Sequence, residues 1–196
     1  MRSEYAGPRA TLSLIAIMVI VFVLQILIRG ITANFSFIPA YAFQEPWTFI
    51  TSIFLHFDIN HIFFNMFALF MFGIVLESRI GYKKFLFVFF AAGIVGNFGY
   101  MLTASDSQIP AIGASGAVYG IMGTTAALMP FAIIWIGAPM PMIVAAFIWG
   151  ISEFLGLFVP SNIARGAHLL GLAFGLAYGI YLRKVNNRKR TRGIFL

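Results

Sequence analysis

Few residues in this chain can do chemistry, and four of them form a coherent set: one hydroxyl, two imidazoles and a carboxamide. Ser115 sits in Gly113-Ala114-Ser115-Gly116, where small neighbours leave its oxygen approachable. A serine hydroxyl is inert unless a base takes its proton. The histidine placed to do so is His168, in Gly166-Ala167-His168-Leu169-Leu170-Gly171. His61 and Asn65 stand four apart, on one face of a helix. The free N–H groups of a helix start, as at Ser115, can hold an oxyanion. Acyl transfer through a serine is the chemistry these types allow. Each residue also has a plainer reading. A serine that opens a helix usually caps it, and His61 with Asn65 could be glue between helices. With no cysteine, disulfides, thiolate metal sites and a cysteine nucleophile are excluded. His56 and His61 are five apart and no HExxH pattern occurs, so neither a metal nor a cofactor is expected.

The elements that must position these residues are membrane helices. Of 196 residues, 61% are apolar before the 19 glycines are counted, and only 10% are charged. A soluble domain is about 45–50% apolar with glycine included and about 25% charged, so lipid must cover the surplus. Disordered, collagenous and nucleic-acid-binding classes are excluded together. A span needs about 20 apolar residues, and six candidates follow: about 12–28, 61–79, 85–103, 115–129, 139–158 and 167–182. No small-residue cleavage site follows the first, which reads as a retained helix. Residues 30–60 are too mixed to cross and rich in Phe, Trp and Tyr, as suits a long loop lying in the interface. Eleven of the thirteen Lys and Arg flank the two termini and the second-to-third turn, six of them in the tail 183–196. The positive-inside rule then puts both termini in the cytoplasm, with the basic tail beside anionic lipid. One domain is expected over 1–196.

This topology puts His61, Asn65, Ser115 and His168 in the outer half, drawn from three helices. The span from Ser115 to Met129 covers only about 22 Å at 1.5 Å per residue, so Ser115 should start below the outer surface, unless the helix continues through Pro130. Gly116, Gly120 and Gly123 on one helix, and Gly171, Gly175 and Gly179 on another, predict close packing of the two. That contact would bring Ser115 to His168. Asn97, among Gly93, Gly96 and Gly99, reads as packing. Asp58, Asp106 and Glu153 fall in or near outer loops, so no carboxylate is expected at the depth of the pair. The fifth span, with Phe147, Trp149 and Phe154 and few glycines, is the expected lateral gate, together with the first loop.

These residues resemble the rhomboid family of intramembrane serine proteases. His61-Ile62-Phe63-Phe64-Asn65 is similar to the HxxxN of the family's second helix, and Glu77-Ser78-Arg79 before Gly81 to its ExR. Gly113-Ala114-Ser115-Gly116 with Tyr119 resembles the nucleophile motif, and Ala167-His168-Leu169-Leu170-Gly171 with Gly175 the AHxxGxxxG of the sixth helix. The resemblance covers about residues 12–184. It implies an all-α, six-helix rhomboid-like bundle and a Ser–His dyad without an acid, acting on transmembrane protein substrates in the bilayer. Ser115 would be nucleophile, His168 base and then acid, and His61, Asn65 and the Ser115 N–H the oxyanion hole. Tyr119 would pack on the His168 ring, with Gly113, Gly171 and Gly175 in support and Glu77 and Arg79 structural. Where the family's first loop carries Trp-Arg, this chain has Trp47-Thr48. The alternative functions are an inactive rhomboid-like binding or dislocation factor and a small channel or transporter.

Overall fold

A computed structural model describes residues 7–135, 137–159 and 163–191, the last three as backbone only. Arg2 and Arg192, counted in the charge asymmetry, lie outside them, as do the side chains of Lys189 and Arg190. The chain runs α1 (Arg9–Leu27), α2 (Ile31–Phe35), α3 (Thr48–Thr51), α4 (Ile59–Ile80), α5 (Tyr82–Thr103) and α6 (Ser115–Leu128), then α7 (Met142–Gly156) and α8 (Arg165–Thr191). Among the described residues α1, α4 and α5 are long and apolar enough to cross a membrane, and α7 is a shorter apolar helix.

Two strands depart from an all-helical chain. Where the sequence predicts the fifth span to open at Pro139, a hairpin intervenes: β1 (Ile133–Trp135) pairs antiparallel with β2 (Pro139–Pro141). The two prolines lack the N–H a helix interior needs, and Gly137, at φ +81°, supplies left-handed backbone between the strands. The helix therefore begins at Met142.

The core is built on α6, whose residues are buried from Gly116 to Ala127 except for half-buried Tyr119. Only a glycine-lined helix can sit so close to its neighbours. A Cβ on Gly171 would overlap the Gly116 carbonyl, and one on Gly175 the Gly120 carbonyl. Thr124 then bridges the seam, its hydroxyl 3.0 Å from the Gly175 carbonyl. The glycine spacing thus produces the expected contact of α6 with α8. Helix α6 stops at Leu128, with Met129 outside helical geometry, and does not continue through Pro130.

Residues 30–58 are tied down rather than draped. Phe37 and Ala111 exchange both backbone hydrogen bonds, joining this segment to the loop before Ser115. Asn97 is more than packing, because its amide donates to the Phe49 carbonyl at 2.9 Å and the Ser52 hydroxyl at 3.0 Å. At the Trp47-Thr48 departure, the buried Thr48 hydroxyl donates to the Glu45 carbonyl at 2.6 Å.

Candidate active site

Ser115 is the first residue of α6, but it is not the cap. Ala114 occupies the cap position and no side chain caps the helix, which frees the serine hydroxyl for another partner. That partner is His168, whose Nε2 lies 2.8 Å from Ser115 Oγ. The close α6–α8 crossing sets this distance, since both residues sit one turn or less from glycines at the seam. Tyr119, one turn along α6, lies flat on the His168 ring, with centroids 4.5 Å apart and planes 6° from parallel.

The other two predicted residues come from α4. Asp58 caps that helix by accepting the His61 N–H at 2.8 Å. His61 Nδ1 accepts the Phe57 N–H at 3.4 Å, which leaves Nε2 as the protonated nitrogen of the neutral ring. The His61 ring lies against Gly113, where φ is +128° and any Cβ would collide with it. Asn65 is buried and returns one amide hydrogen to the His61 carbonyl at 2.9 Å. His56, just before α4, is buried beside His61, ring centroids 5.2 Å apart. Burial first, and His61 second, hold its pKa at about 3, so it is neutral.

Two cavities meet at Ser115 and Asn65. One, of about 430 Å³, is apolar and runs between α4, α6, α7 and the hairpin, past Phe72, Tyr119, Trp149 and Trp135. The other, of about 290 Å³, is bordered by Asp58, His61, Tyr100 and His168. The serine is therefore reachable from two directions, one greasy and one polar.

One expectation is overturned. Glu153 is not in an outer loop: it is buried in α7, and its Oε1 lies 3.1 Å from His168 Nδ1. The same oxygen accepts the Tyr119 hydroxyl at 2.7 Å, and Oε2 pairs with Arg165 at 3.4 Å. The last turn of α7 lies level with the start of α6, so nearness to a helix end does not mean exposure. The signal that could have found Glu153 was its charge within an apolar span, where ionisable groups are functional suspects. Glu77 and Arg79 lie far from this cluster. Glu77 accepts the Ala10 and Thr11 N–H groups and the Thr11 hydroxyl at the start of α1, and Arg79 is exposed.

Apolar spanning helices around a part-buried Ser–His pair define a multi-pass integral membrane protein with the elements of a serine hydrolase. A family model described as Rhomboid domain matches residues 44–185. The chain is 36% identical over 132 residues to a Bacillus subtilis (strain 168) protein named "Putative rhomboid protease YdcA"; the match spans 67% of this chain and 64% of that relative's length. The chain belongs to the rhomboid family.

Proposed function

We propose that this chain is an intramembrane serine endopeptidase that cuts transmembrane segments of membrane-protein substrates near their outer ends. The observation that carries the reading is the 2.8 Å contact of Ser115 Oγ with His168 Nε2 at the junction of an apolar and a polar cavity. A substrate segment enters along the apolar cavity, between α4 and α7, where Trp149 meets Phe72 edge-on at 5.9 Å. Water reaches the serine from the polar side.

In the reaction, Ser115 Oγ bonds to the substrate carbonyl carbon as its proton passes to His168 Nε2. The oxyanion takes hydrogen bonds from the Ser115 N–H, His61 Nε2–H and Asn65 amide. Collapse breaks the C–N bond, and the proton on Nε2 goes to the leaving amine. Water, deprotonated by the same nitrogen, then attacks the acyl carbon, and the ester C–O bond breaks as that proton passes from Nε2 to Ser115 Oγ. An intact helix cannot offer its carbonyls, which are already bonded within it, so the substrate must unwind there. Helix-breaking residues should promote cutting, and the small surroundings of Ser115 favour a small side chain just before the cut bond.

The same reading makes α1, α4, α5, α6, α7 and α8 the six spans of one domain. Both termini face the cytoplasm, and the host membrane is the plasma (inner) membrane. In that orientation Arg183, Lys184 and Arg188 lie on the side of anionic lipid.

The test is cleavage of a model transmembrane substrate by purified parent, Ser115→Ala and His168→Ala proteins, with labelling by a fluorophosphonate probe. The parent should cleave and be labelled at Ser115; each variant should lose nearly all activity while staying inserted and folded, since nucleophile and base act as a unit. Robust cleavage by Ser115→Ala would end the reading.

A further inference from the structure

A buried charge beside the general base belongs to a residue that the Ser–His mechanism leaves without work. Glu153 is 8% exposed, in an apolar helix, beside the general base. Burying a carboxylate is costly unless partners hold it, and three groups converge on this one. Tyr119 donates its hydroxyl to Oε1 at 2.7 Å, Arg165 stands 3.4 Å from Oε2, and His168 Nδ1 lies 3.1 Å from Oε1. The Arg165 guanidinium reaches across α7 at Gly156, where any Cβ would overlap it. Tyr119 works twice, stacking on the imidazole with its ring and holding the carboxylate with its hydroxyl. His168 Nδ1 is buried and makes no hydrogen bond among the described residues. The carboxylate lies off the ideal N–H direction, so its effect on the ring is electrostatic first.

Resting on the serine-protease reading above, we propose that Glu153 is a positioning residue for His168. Its carboxylate keeps the imidazole proton on Nδ1, so that Nε2 faces Ser115 as a free base, and it supplies the countercharge when that ring becomes an imidazolium. The proton on Nδ1 never leaves; the transferred proton moves from Ser115 Oγ to Nε2 and on to the leaving amine. Glu153 touches neither substrate nor the reacting atoms. The site is then a serine–histidine–glutamate arrangement drawn from α6, α8 and α7, with the tyrosine stacked across it.

The experiment compares parent, Glu153→Gln, Glu153→Asp and Glu153→Ala. Steady-state cleavage gives kcat and KM separately, and ¹⁵N NMR of the His168 ring reports which nitrogen carries the proton. The chain has three histidines, so the signal is assigned by removing the others singly. Glu153→Gln keeps the shape and an acceptor but removes the charge. It should lower kcat by roughly 10–100-fold, less than the loss seen when the buried acid of a well-aligned triad is neutralised. KM should stay within about threefold, and the ring should shift from the Nδ1–H form to a mixture. Glu153→Asp should recover part of both signals. A folded Glu153→Gln protein with the parent's kcat and tautomer would overturn the proposal, as would a low kcat with an unchanged tautomer that Asp fails to restore. If Glu153→Ala unfolds, Glu153→Gln and Glu153→Asp decide. A parent that neither cleaves nor takes the fluorophosphonate probe counts against the protease reading instead, and the tautomer measurement still judges Glu153.

Discussion

Replacing Glu77 by Gln probes how the far end of α4 holds the bundle, and the contacts set the size of the effect. Helix α1 follows Pro8, whose side chain caps nothing, so its early N–H groups depend on partners from elsewhere. Glu77 provides them: one oxygen accepts the Ala10 N–H at 3.0 Å, the other the Thr11 N–H at 2.8 Å and the Thr11 hydroxyl at 2.7 Å. Gln puts an amide NH₂ where one oxygen stood. If its carbonyl keeps the Thr11 side, the Ala10 bond is lost and the other two lose their charge assistance. Hydrogen bonds to charged groups contribute about 1.5–3 kcal/mol against about 1 for neutral ones, so one bond lost and two weakened give a loss of about 2.5–7 kcal/mol. At about 2–4 °C per kcal/mol for a chain of this size, Glu77→Gln should melt roughly 5–28 °C below the parent in detergent. Thr11→Val should cost less alone, and the double variant should show a coupling of about 1 kcal/mol. Cleavage assayed well below the lower melting point should survive, because Glu77 lies about 18 Å along α4 from Asn65. A Glu77→Gln protein that melts with the parent yet has lost cleavage would refute this assignment.

Three further outcomes are expected. Asn65→Ala should lower kcat by roughly 10–1000-fold with a smaller change in KM, the usual cost of one oxyanion donor; failure mainly by unfolding would make Asn65 structural. Gly175→Val should push α8 off the Gly120 carbonyl, costing about 1–3 kcal/mol or more. It should depress melting and cleavage together, and an unchanged melting point would contradict the close seam. His56 has a folded-state pKa of about 3 against 6.5 unfolded, so between these values the unfolded chain binds the extra proton. Its contribution is complete above about pH 6.5 and is lost as pH falls toward 3, with a slope of up to about 1.4 kcal/mol per pH unit. Unfolding titrations of parent and His56→Phe should differ in that slope, and parallel curves would refute it.

Hydropathy and glycine spacing carried most of the fold because they report what a helix touches. Apolar runs anticipate α1, α4 and α5, and the two glycine rows anticipate the α6–α8 seam, where backbone meets backbone. The hairpin before α7 was not legible, because Ile133 to Trp135 are as apolar as a span and only the prolines argue otherwise. The anchoring of residues 30–58 was hidden too. It depends on Asn97 reaching Phe49 and Ser52, and on Phe37 pairing with Ala111, contacts between segments with no shared periodicity. Glu77 was legible as structural, yet not as the partner of α1, since a cap supplied by another helix leaves no local pattern.

At the site, depth was the quantity that sequence position could not express. The start of the short α6 and the last turn of α7 lie level with one another, which brings Ser115 and Glu153 to the same imidazole. Counting from a helix end places Glu153 at the surface; counting from Ser115 places it beside His168, where it is found. A stacked aromatic ring can orient an imidazole without a carboxylate, and that made an acid look dispensable. Here the ring and the carboxylate are joined, because the hydroxyl of the stacking Tyr119 is itself the donor to Glu153. Removing that hydroxyl leaves the stack and loosens the acid, whereas removing the ring disturbs both. Tyr119→Phe should therefore resemble a mild Glu153→Gln in the His168 tautomer, and Tyr119→Ala should cost more than either. A Tyr119→Phe protein that keeps the parent's tautomer while Tyr119→Ala loses it would mean that the stack, and not the carboxylate, positions the base.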